Sequence, residues 1–168
     1  MEIPPNIRIC IPTHEEFDEA KTVIDYFYAK LFSEKPDRWH QLKKDASKKY
    51  LTEILFGTPL PHKIELAGKI KDPAASAEKI AGLIIGRIEK RNLLEPEEIV
   101  FIDTAVVLPE YQKLGCMHLL MQELFQICRE RKIKVVELNV LKSNMDARDY
   151  WEKNGFTEII SRYRKIVG

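Results

Sequence analysis

The segment from Ile99 to Arg131 constrains the fold most, because it joins a strand to a helix through a short turn. Residues 99–107 are dense in branched apolar side chains, and apolar residues from 119 to 128 recur at helical spacing. Between them Val107 to Leu120 reads VLPEYQKLGCMHLL, with Gly115 at the turn. Such a junction points backbone N–H groups and the positive end of a helix dipole at one spot. The geometry suits a pyrophosphate.

Periodicity along the remaining chain predicts an α/β (α+β) fold with one central mixed β-sheet flanked by helices. Thr13 and Glu16 form a capping box that starts the first helix. The predicted order is β-α-α-β-β-β-α-β-α-β, in a single domain over residues 1–168. Its elements are a strand at 6–11, a helix from 17, a helix at 46–55, a hairpin of His62–Lys71 and Ile80–Glu89, a strand at 99–107, a helix at 115–131, a buried strand at Val135–Val140, a helix at Asn144–Lys153 and a last strand at Phe156–Ile166.

Composition excludes several classes of partner. The 27 basic and 26 acidic residues leave no bulk field to attract nucleic acid or an anionic membrane. No apolar run approaches the roughly 18 residues of a spanning helix, and residues 1–10 lack a secretion signal, so we expect a cytoplasmic protein. Cys10, Cys116 and Cys128 are odd in number and widely spaced, which favours free thiols. The four histidines show no ligand spacing, and we predict no structural metal.

The turn carries a motif that resembles a known signature. Val107 and Pro109, followed by Gln112 and Gly115, are similar to the coenzyme A signature (Gln/Arg)-x-x-Gly-x-(Gly/Ala) of the GCN5-related N-acetyltransferases, the GNAT family. The resemblance implies that main-chain N–H groups wrap the coenzyme's diphosphate. Met117 replaces the last small residue, and its side chain could lean toward Met121 or narrow the groove. The alternative is an ordinary strand-to-helix junction. The diphosphate contacts implied are those of Gln112, Lys113, Leu114, Gly115, Cys116 and Met117.

A second motif strengthens the resemblance. Residues 144–156 read NMDARDYWEKNGF and are similar to the family's Asn-x-x-Ala-x-x-(apolar)-Tyr-Glu-Lys-x-Gly-Phe. The resemblance implies that Asn144 hydrogen-bonds near the pantetheine arm, where two parallel strands splay apart; otherwise Asn144 is a helix cap. The family tyrosine that protonates the departing thiolate corresponds to Trp151, whose indole is not a useful acid. Tyr150, about 100° round the helix, or Ser143 is then the candidate acid, unless the thiolate leaves unaided.

The strand before the turn supplies the candidate base. Asp103 is the only acidic residue from Ile99 to Val107, and a carboxylate on an apolar strand is costly unless it is paired or functional. We predict Asp103 as the base; the alternatives are a hydrogen-bonded acid at a sheet opening and a partner for Arg87 on the hairpin. Weaker candidates are Glu98 and Glu137, and Phe101 stands where some family members carry a glutamate. We expect the oxyanion to be held by the main-chain N–H groups of Ala105, Val106 and Val107.

Together the two motifs predict an acetyl-CoA-dependent N-acetyltransferase that acts directly on a primary amine of a small molecule or peptide. The alternative is a non-catalytic acyl-CoA-binding sensor or regulatory module. A covalent route through Cys116 is disfavoured, because no histidine is placed to activate it. A homodimer through a sheet edge or late strand is compatible with a domain of this type. The alternative for the aromatic candidates is a place in the core, and for the acidic ones a place on the solvated surface. Candidates for the acceptor pocket are Tyr26, Tyr28, Glu34, Asp37, Trp39 and His40.

Overall fold

The computed structural model describes residues 7–33, 43–57, 62–71 and 77–167. Within these ranges the chain forms five strands and four α-helices. The strands are β1 (Ile7–Cys10), β2 (Lys63–Lys71), β3 (Glu78–Lys90), β4 (Glu98–Val107) and β5 (Val136–Leu138). The helices are α1 (Phe17–Ser33), α2 (Ala46–Tyr50), α3 (Cys116–Glu130) and α4 (Met145–Lys153). Short 3-10 turns at His14–Glu16 and Pro109–Tyr111 precede α1 and α3, and α2 continues into a π-helical turn at Leu51–Leu55.

The strands form one sheet in the order β1-β2-β3-β4-β5. All neighbours are antiparallel except β4 and β5, which run parallel. The parallel pair is possible because α3 carries the chain back across the sheet between the two strands. The mixed sheet confirms the predicted fold class and the predicted β2–β3 hairpin.

Helices cover both faces of the sheet, and the alternation of strand residues divides the core in two. Leu83 and Ile85 of β3 pack beneath α1 and α2, where Ile24 is fully buried. Ile84 faces the opposite way and packs with Leu120 of α3. We call these two layers the α1/α2 face and the α3/α4 face. The period of two along β3 fixes which side chains enter each layer.

The start of α1 is fixed by the predicted capping box. The carboxylate of Glu16 accepts a hydrogen bond from the Thr13 N–H at 2.8 Å. Glu16 also forms an ion pair with Lys69, a buried lysine of β2. This one carboxylate therefore caps a helix and compensates a buried ammonium on the sheet. None of the helices in the described residues is long and apolar enough to cross a bilayer.

Two strand predictions were wrong. The strand predicted at Val135–Val140 shortens to three half-buried residues, Val136–Leu138. The strand predicted at Phe156–Ile166 does not form, since residues 156–167 have no regular secondary structure and are almost entirely exposed. Strand-forming residues need a neighbour to take their main-chain hydrogen bonds, and this segment pairs with no strand among the described residues.

Candidate active site

An opening lies between β4 and β5. The two strands pair only at Val100–Val136, Phe101–Glu137 and Ile102–Leu138. β4 then continues to Val107, whereas β5 has ended. Beyond Ile102 the edge of β4 that faces away from β3 therefore has no strand beside it in the described chain. The pairing of the two parallel strands therefore ends at Ile102 and Leu138.

A β-bulge in β4 sits where the opening starts. Thr104 lies opposite Ile85 and Ile102 lies opposite Gly86, which leaves Asp103 without a partner in β3. A bulge bends the strand and increases its local twist. The pairing of β4 with β5 ends at Ile102, the residue before this bulge. Residue alternation gives no sign of this feature, because one extra residue in a strand looks like ordinary strand sequence.

The ladder between β3 and β4 decides which amides face the opening. The N–H of Leu108 donates to the Ala81 carbonyl at 2.9 Å. Main-chain groups alternate between the two sides of an antiparallel strand, so Val106 directs its N–H toward β3. Ala105 and Val107 direct theirs toward the opening. Of the three predicted oxyanion donors, two therefore face the opening and Val106 faces β3.

The turn after β4 presents a row of amides. Lys113 and Gly115 adopt left-handed backbone conformations, with φ of 63° and 87°, and Gly115 caps the 15-residue helix α3. The first helical bond runs from the Leu119 N–H to the Gly115 carbonyl at 3.0 Å. Within the described residues, none of the six preceding amides, Lys113 to His118, donates a hydrogen bond. Six consecutive donors at a helix N-terminus form a site for an anion.

Side chains hold this turn in place without covering it. Gln112 Nε2 donates to the Val107 carbonyl at 3.2 Å and lies 3.5 Å from the Tyr26 hydroxyl. The Gln112 side chain therefore ties the turn to β4 and to α1. Met117 is half-buried and packs against the core cluster that contains Met121. The core therefore holds part of the Met117 side chain.

Cys116, the first residue of α3, is enclosed rather than reactive. Its Sγ presses on β2 at Gly68, where an added Cβ would lie only 2.5 Å from the sulfur. Burial raises the pKa of the Cys116 thiol to about 11. A protonated, buried thiol is not a nucleophile. Cys116 instead fixes where α3 begins on the sheet, and all three cysteines are free thiols.

Asp103 forms the ion pair that was predicted as its alternative role. Its carboxylate pairs with Arg87, and the hydrogen bond that Asp103 accepts from Arg87 raises the pKa of Arg87. Arg87 also donates to Glu89 at 3.2 Å and lies 4.7 Å from the centroid of the Phe101 ring. One guanidinium thus serves two carboxylates. Arg87, Asp103 and Glu89 together therefore carry one net negative charge beside the opening.

Two phenols line the same side of the opening. The Tyr50 hydroxyl lies 3.1 Å from Thr104 Oγ1, and burial raises the pKa of Tyr50. Burial, and secondarily the Asp103 charge, raise the pKa of Tyr28, whose ring meets Tyr50 edge-on at 6.1 Å. The sequence reasoning missed Tyr50 and Thr104, although a threonine in an apolar strand was a signal. Glu34, Asp37, Trp39 and His40 lie outside the described residues.

Tyr150 lies on the other face of the sheet from Asp103. It is half-buried in a groove between α3 and α4, with its ring edge-on to Trp151 at 5.0 Å. Burial raises the pKa of Tyr150. Trp151 is a core residue of the α3/α4 face, whereas Asp103 pairs on the α1/α2 face. The two predicted catalytic side chains can act on one substrate only through the opening between β4 and β5.

The remaining predicted site residues have structural partners. Asn144 Oδ1 accepts a hydrogen bond from the Ala147 N–H at 3.2 Å and caps α4. Glu137, a weaker base candidate, is paired with Arg91 at 2.5 Å. Glu98 lies 3.7 Å from Lys90 at the far end of β4. All three side chains are therefore engaged in contacts that do not involve Asp103.

Comparison with known proteins identifies the family. The model of the acetyltransferase (GNAT) family matches residues 25–156. No curated protein sequence matches significantly. Solved structures with the same fold include the acetyltransferase AAC(6')-Iy in complex with the bisubstrate analog CoA-S-monomethyl-acetylneamine, at 16% identity and a TM-score of 0.64 over 96% of this chain and 99% of that one.

Two further structures cover the chain equally well. AAC(6')-Ih, an aminoglycoside 6'-N-acetyltransferase from Acinetobacter baumannii, is 14% identical with a TM-score of 0.65 over 96% of this chain and 99% of that one. The ribosomal-protein-alanine N-acetyltransferase from Brucella melitensis biovar Abortus 2308 is 14% identical with a TM-score of 0.71 over the same shares. At these identities the likeness shows the fold. Since the family model spans most of the sequence, the chain belongs to the GNAT family of N-acetyltransferases.

Proposed function

We propose that this chain binds acetyl-CoA and acetylates a primary amine of a small molecule or a peptide by direct transfer. The observation that carries the proposal is the row of six amides from Lys113 to His118. It stands at the end of β4, the strand that borders the opening. A cofactor held at the turn by its phosphates can extend its arm along the exposed edge of β4.

The turn fits a diphosphate by charge and by shape. Successive N–H groups and the α3 dipole provide positive potential without side chains that would fill the space. Lys113 is exposed at the same turn and adds a cation there. Met117 is half-buried and packs against the core cluster, which supports access to the amides despite the departure from the usual motif.

The residues around the opening divide the chemical tasks. Bound acetyl-CoA supplies the acetyl group as a thioester. The N–H groups of Ala105 and Val107 would stabilise negative charge on the carbonyl oxygen. Asp103, directly or through water, would take the proton from the acceptor ammonium. The acceptor competes with Arg87 for this carboxylate, and the net negative charge of the cluster favours cationic amines.

Tyr150 is the proposed acid for the departing thiolate. It would act from the α3/α4 face, and the burial that raises its pKa keeps the phenol protonated at neutral pH. Trp151 occupies the position of the usual acid, and this favours a second candidate function. In that alternative the chain binds acyl-CoA as a sensor without transferring the acyl group.

Calorimetry with acetyl-CoA and coenzyme A tests binding, and release of free thiol against a panel of amines tests transfer. The panel spans aminoglycosides, polyamines, amino acids and peptides with free N-termini. Saturable binding with thiol release on any of these amines supports the enzyme. Binding without turnover on the whole panel supports the sensor. Absence of binding overturns both functions.

Substitutions assign the roles. Asp103→Asn should lower kcat by about 10² to 10⁴, the usual contribution of a general base. Glu98→Gln, at the far end of the same strand, is the matched control and should leave kcat near wild type. An equal loss in both variants would remove Asp103 from the base role. Unchanged turnover in Tyr150→Phe would exclude Tyr150 as the acid.

A further inference from the structure

Arg87 lies between two carboxylates, and only one of them has a task in the proposed reaction. Its Nη1 donates to Asp103, and its Nη2 donates to Glu89 at 3.2 Å. Glu89 follows Arg87 by two residues and therefore lies on the same face of β3. Phe101 lies opposite Arg87 on β4, and the guanidinium carbon is 4.7 Å from the centroid of its ring. One guanidinium thus has two anionic partners on a single aromatic surface.

The other charged groups beside Arg87 have partners of their own. Lys63 lies opposite Arg87 on β2, and its ammonium contacts Glu65 at 2.6 Å. Arg91, two residues beyond Glu89 on β3, pairs with a carboxylate of β5. In the part of the chain that the structure describes, the ion-pair partner of Glu89 is Arg87. The Glu89 carboxylate is therefore available to hold Arg87.

Both contacts of Arg87 are open to solvent. The side chains of Arg87, Asp103 and Glu89 are 41%, 32% and 38% exposed. Ion pairs with this exposure are weak and exchange partners at little cost. A cation from solution can therefore replace Arg87 at one carboxylate while the contact with the other carboxylate persists.

We propose that Glu89 is a positioning residue that retains Arg87 when a cationic acceptor takes its place on Asp103. The inference rests on the function proposed above, in which Asp103 is the base. In the free protein the Nη1 group of Arg87 occupies that carboxylate. An acceptor ammonium replaces the Nη1 contact, and the Nη2 contact holds the guanidinium on Glu89.

This exchange names the substrate class of the site. A carboxylate that loses its cationic partner without a replacement is destabilised, so the molecule that displaces Arg87 from Asp103 must itself be a cation. Aliphatic amines are ammonium ions at neutral pH and meet this condition. Aromatic amines such as aniline are neutral at that pH, and the wild-type site should exclude them.

NMR of arginine side chains measures the exchange without relying on catalysis. In the full chain labelled with ¹⁵N-arginine, the Arg87 guanidinium signal is assigned by its loss in Arg87→Lys. Titration with spermidine should move this signal toward its position in Asp103→Asn, where Glu89 is the remaining carboxylate partner. A signal that stays in place up to about 10 mM spermidine, or that moves toward its position in Glu89→Gln, would overturn the proposal.

A double-mutant cycle separates retention of Arg87 from simple attraction of cations. Glu89→Gln should raise the KM of an aliphatic acceptor about fivefold and leave kcat and acetyl-CoA affinity near wild type. In the Arg87→Gln background Asp103 is already free, so the same substitution should change KM by less than about twofold. An equal rise in both backgrounds would mean that Glu89 only attracts cations, and the role assigned to it would be wrong.

Two further comparisons complete the cycle. The matched control is Glu98→Gln, which removes a carboxylate paired with Lys90 on the same two strands and should leave KM near wild type. Turnover of aniline relative to spermidine should rise at least about fivefold in Arg87→Gln, because no guanidinium then has to be displaced. A KM that rises as much in the control, or an unchanged preference in Arg87→Gln, would count against the proposal.

This proposal and the proposed function fail separately. Absence of thiol release on every amine overturns the transfer reaction, and the spermidine titration then decides by itself whether Arg87 leaves Asp103. Thiol release accompanied by an unmoved Arg87 signal keeps the transferase and removes the role of Glu89.

Discussion

The contact between Gly68 and Cys116 sets the position of the amide row, and a double-mutant cycle tests it. Cys116 begins α3 and Gly68 lies beneath it in β2. A Cβ added at Gly68 would lie 2.5 Å from the Cys116 Sγ, and the next neighbours, on Ile9 and Leu120, are at 3.6 Å. The sulfur is therefore the single obstacle to a side chain at this position.

The size of the effect follows from this geometry. Ordinary contact begins near 3.4 Å, so the first turn of α3 must move by about 1 Å in Gly68→Ala, an overpacking that costs about 1–3 kcal/mol. Cys116→Ala alone leaves a small cavity and should cost about 1 kcal/mol. In the double variant the new Cβ occupies the space vacated by sulfur. We expect stability near wild type and a coupling energy of about 2 kcal/mol.

Urea unfolding of the four proteins measures the cycle, and calorimetry follows the site. Gly68→Ala should weaken acetyl-CoA binding about tenfold, because a shift of about 1 Å in a positioned site is costly, and the double variant should recover it. Destabilisations that simply add, or an affinity that stays lost in the double variant, would show that this contact does not position the turn.

Three further predictions concern single residues. Gly115→Ala should weaken acetyl-CoA binding about tenfold, because a left-handed alanine costs about 1–2 kcal/mol and the strained turn would misplace its amides. Gly155→Ala is the matched control, because Gly155 has φ 85° and open space around it. It should lower stability by a similar amount and leave the acetyl-CoA affinity measured by calorimetry unchanged. An equal loss of affinity in the two variants would contradict the role of the turn. The Cys116 pKa of about 11 predicts slow alkylation by iodoacetamide in the native protein until the pH approaches that value; mapping by mass spectrometry that finds rapid labelling of the folded chain at neutral pH would refute this. Burial alone would raise the pKa of Glu16, but hydrogen bonds from Lys69 and Thr13 lower it below the ordinary 4.5. The stabilisation that Glu16 provides is therefore present above its ordinary pKa, and it is lost as the pH falls through the lower pKa of the folded state. Glu16→Gln should destabilise by about 2 kcal/mol at neutral pH and flatten the acid-side loss in urea unfolding, and an unchanged acid slope would count against the pair.

Local patterns predicted most of the elements. The alternation in β3, the helical spacing in α3 and the capping box at Thr13 all correspond to observed structure, because each depends on residues close in sequence. The two motifs indicated the family for the same reason, because a strand-turn-helix junction is formed by residues close in sequence. A single domain over residues 1–168 and a cytoplasmic location stay predictions.

Features that depend on a neighbour were not predictable. The bulge at Asp103 depends on the register of β4 against β3, and register is a relation between two segments. The sequence left open whether Asp103 is a base or a partner of Arg87, and the pairing is visible only when β3 lies beside β4. Tyr50 lies within the predicted helix at 46–55, and only the packing of that helix on the sheet brings its hydroxyl to 3.1 Å from Thr104 Oγ1.

The amino-acid sequence by itself determined the order of helices and strands as far as α4, and the strand-turn-helix junction around Gly115 with its run of amides, since these are fixed by dihedral preferences and by residues within one turn of each other. Tertiary structure alone decided where β4 leaves β5, which face of the sheet carries Asp103 and which carries Tyr150, and whether residues 156–167 form a strand. The physical reason is that a strand is completed by hydrogen bonds to a different segment. Residues 156–167 have the side chains of a strand, but they pair with no other segment of the described chain.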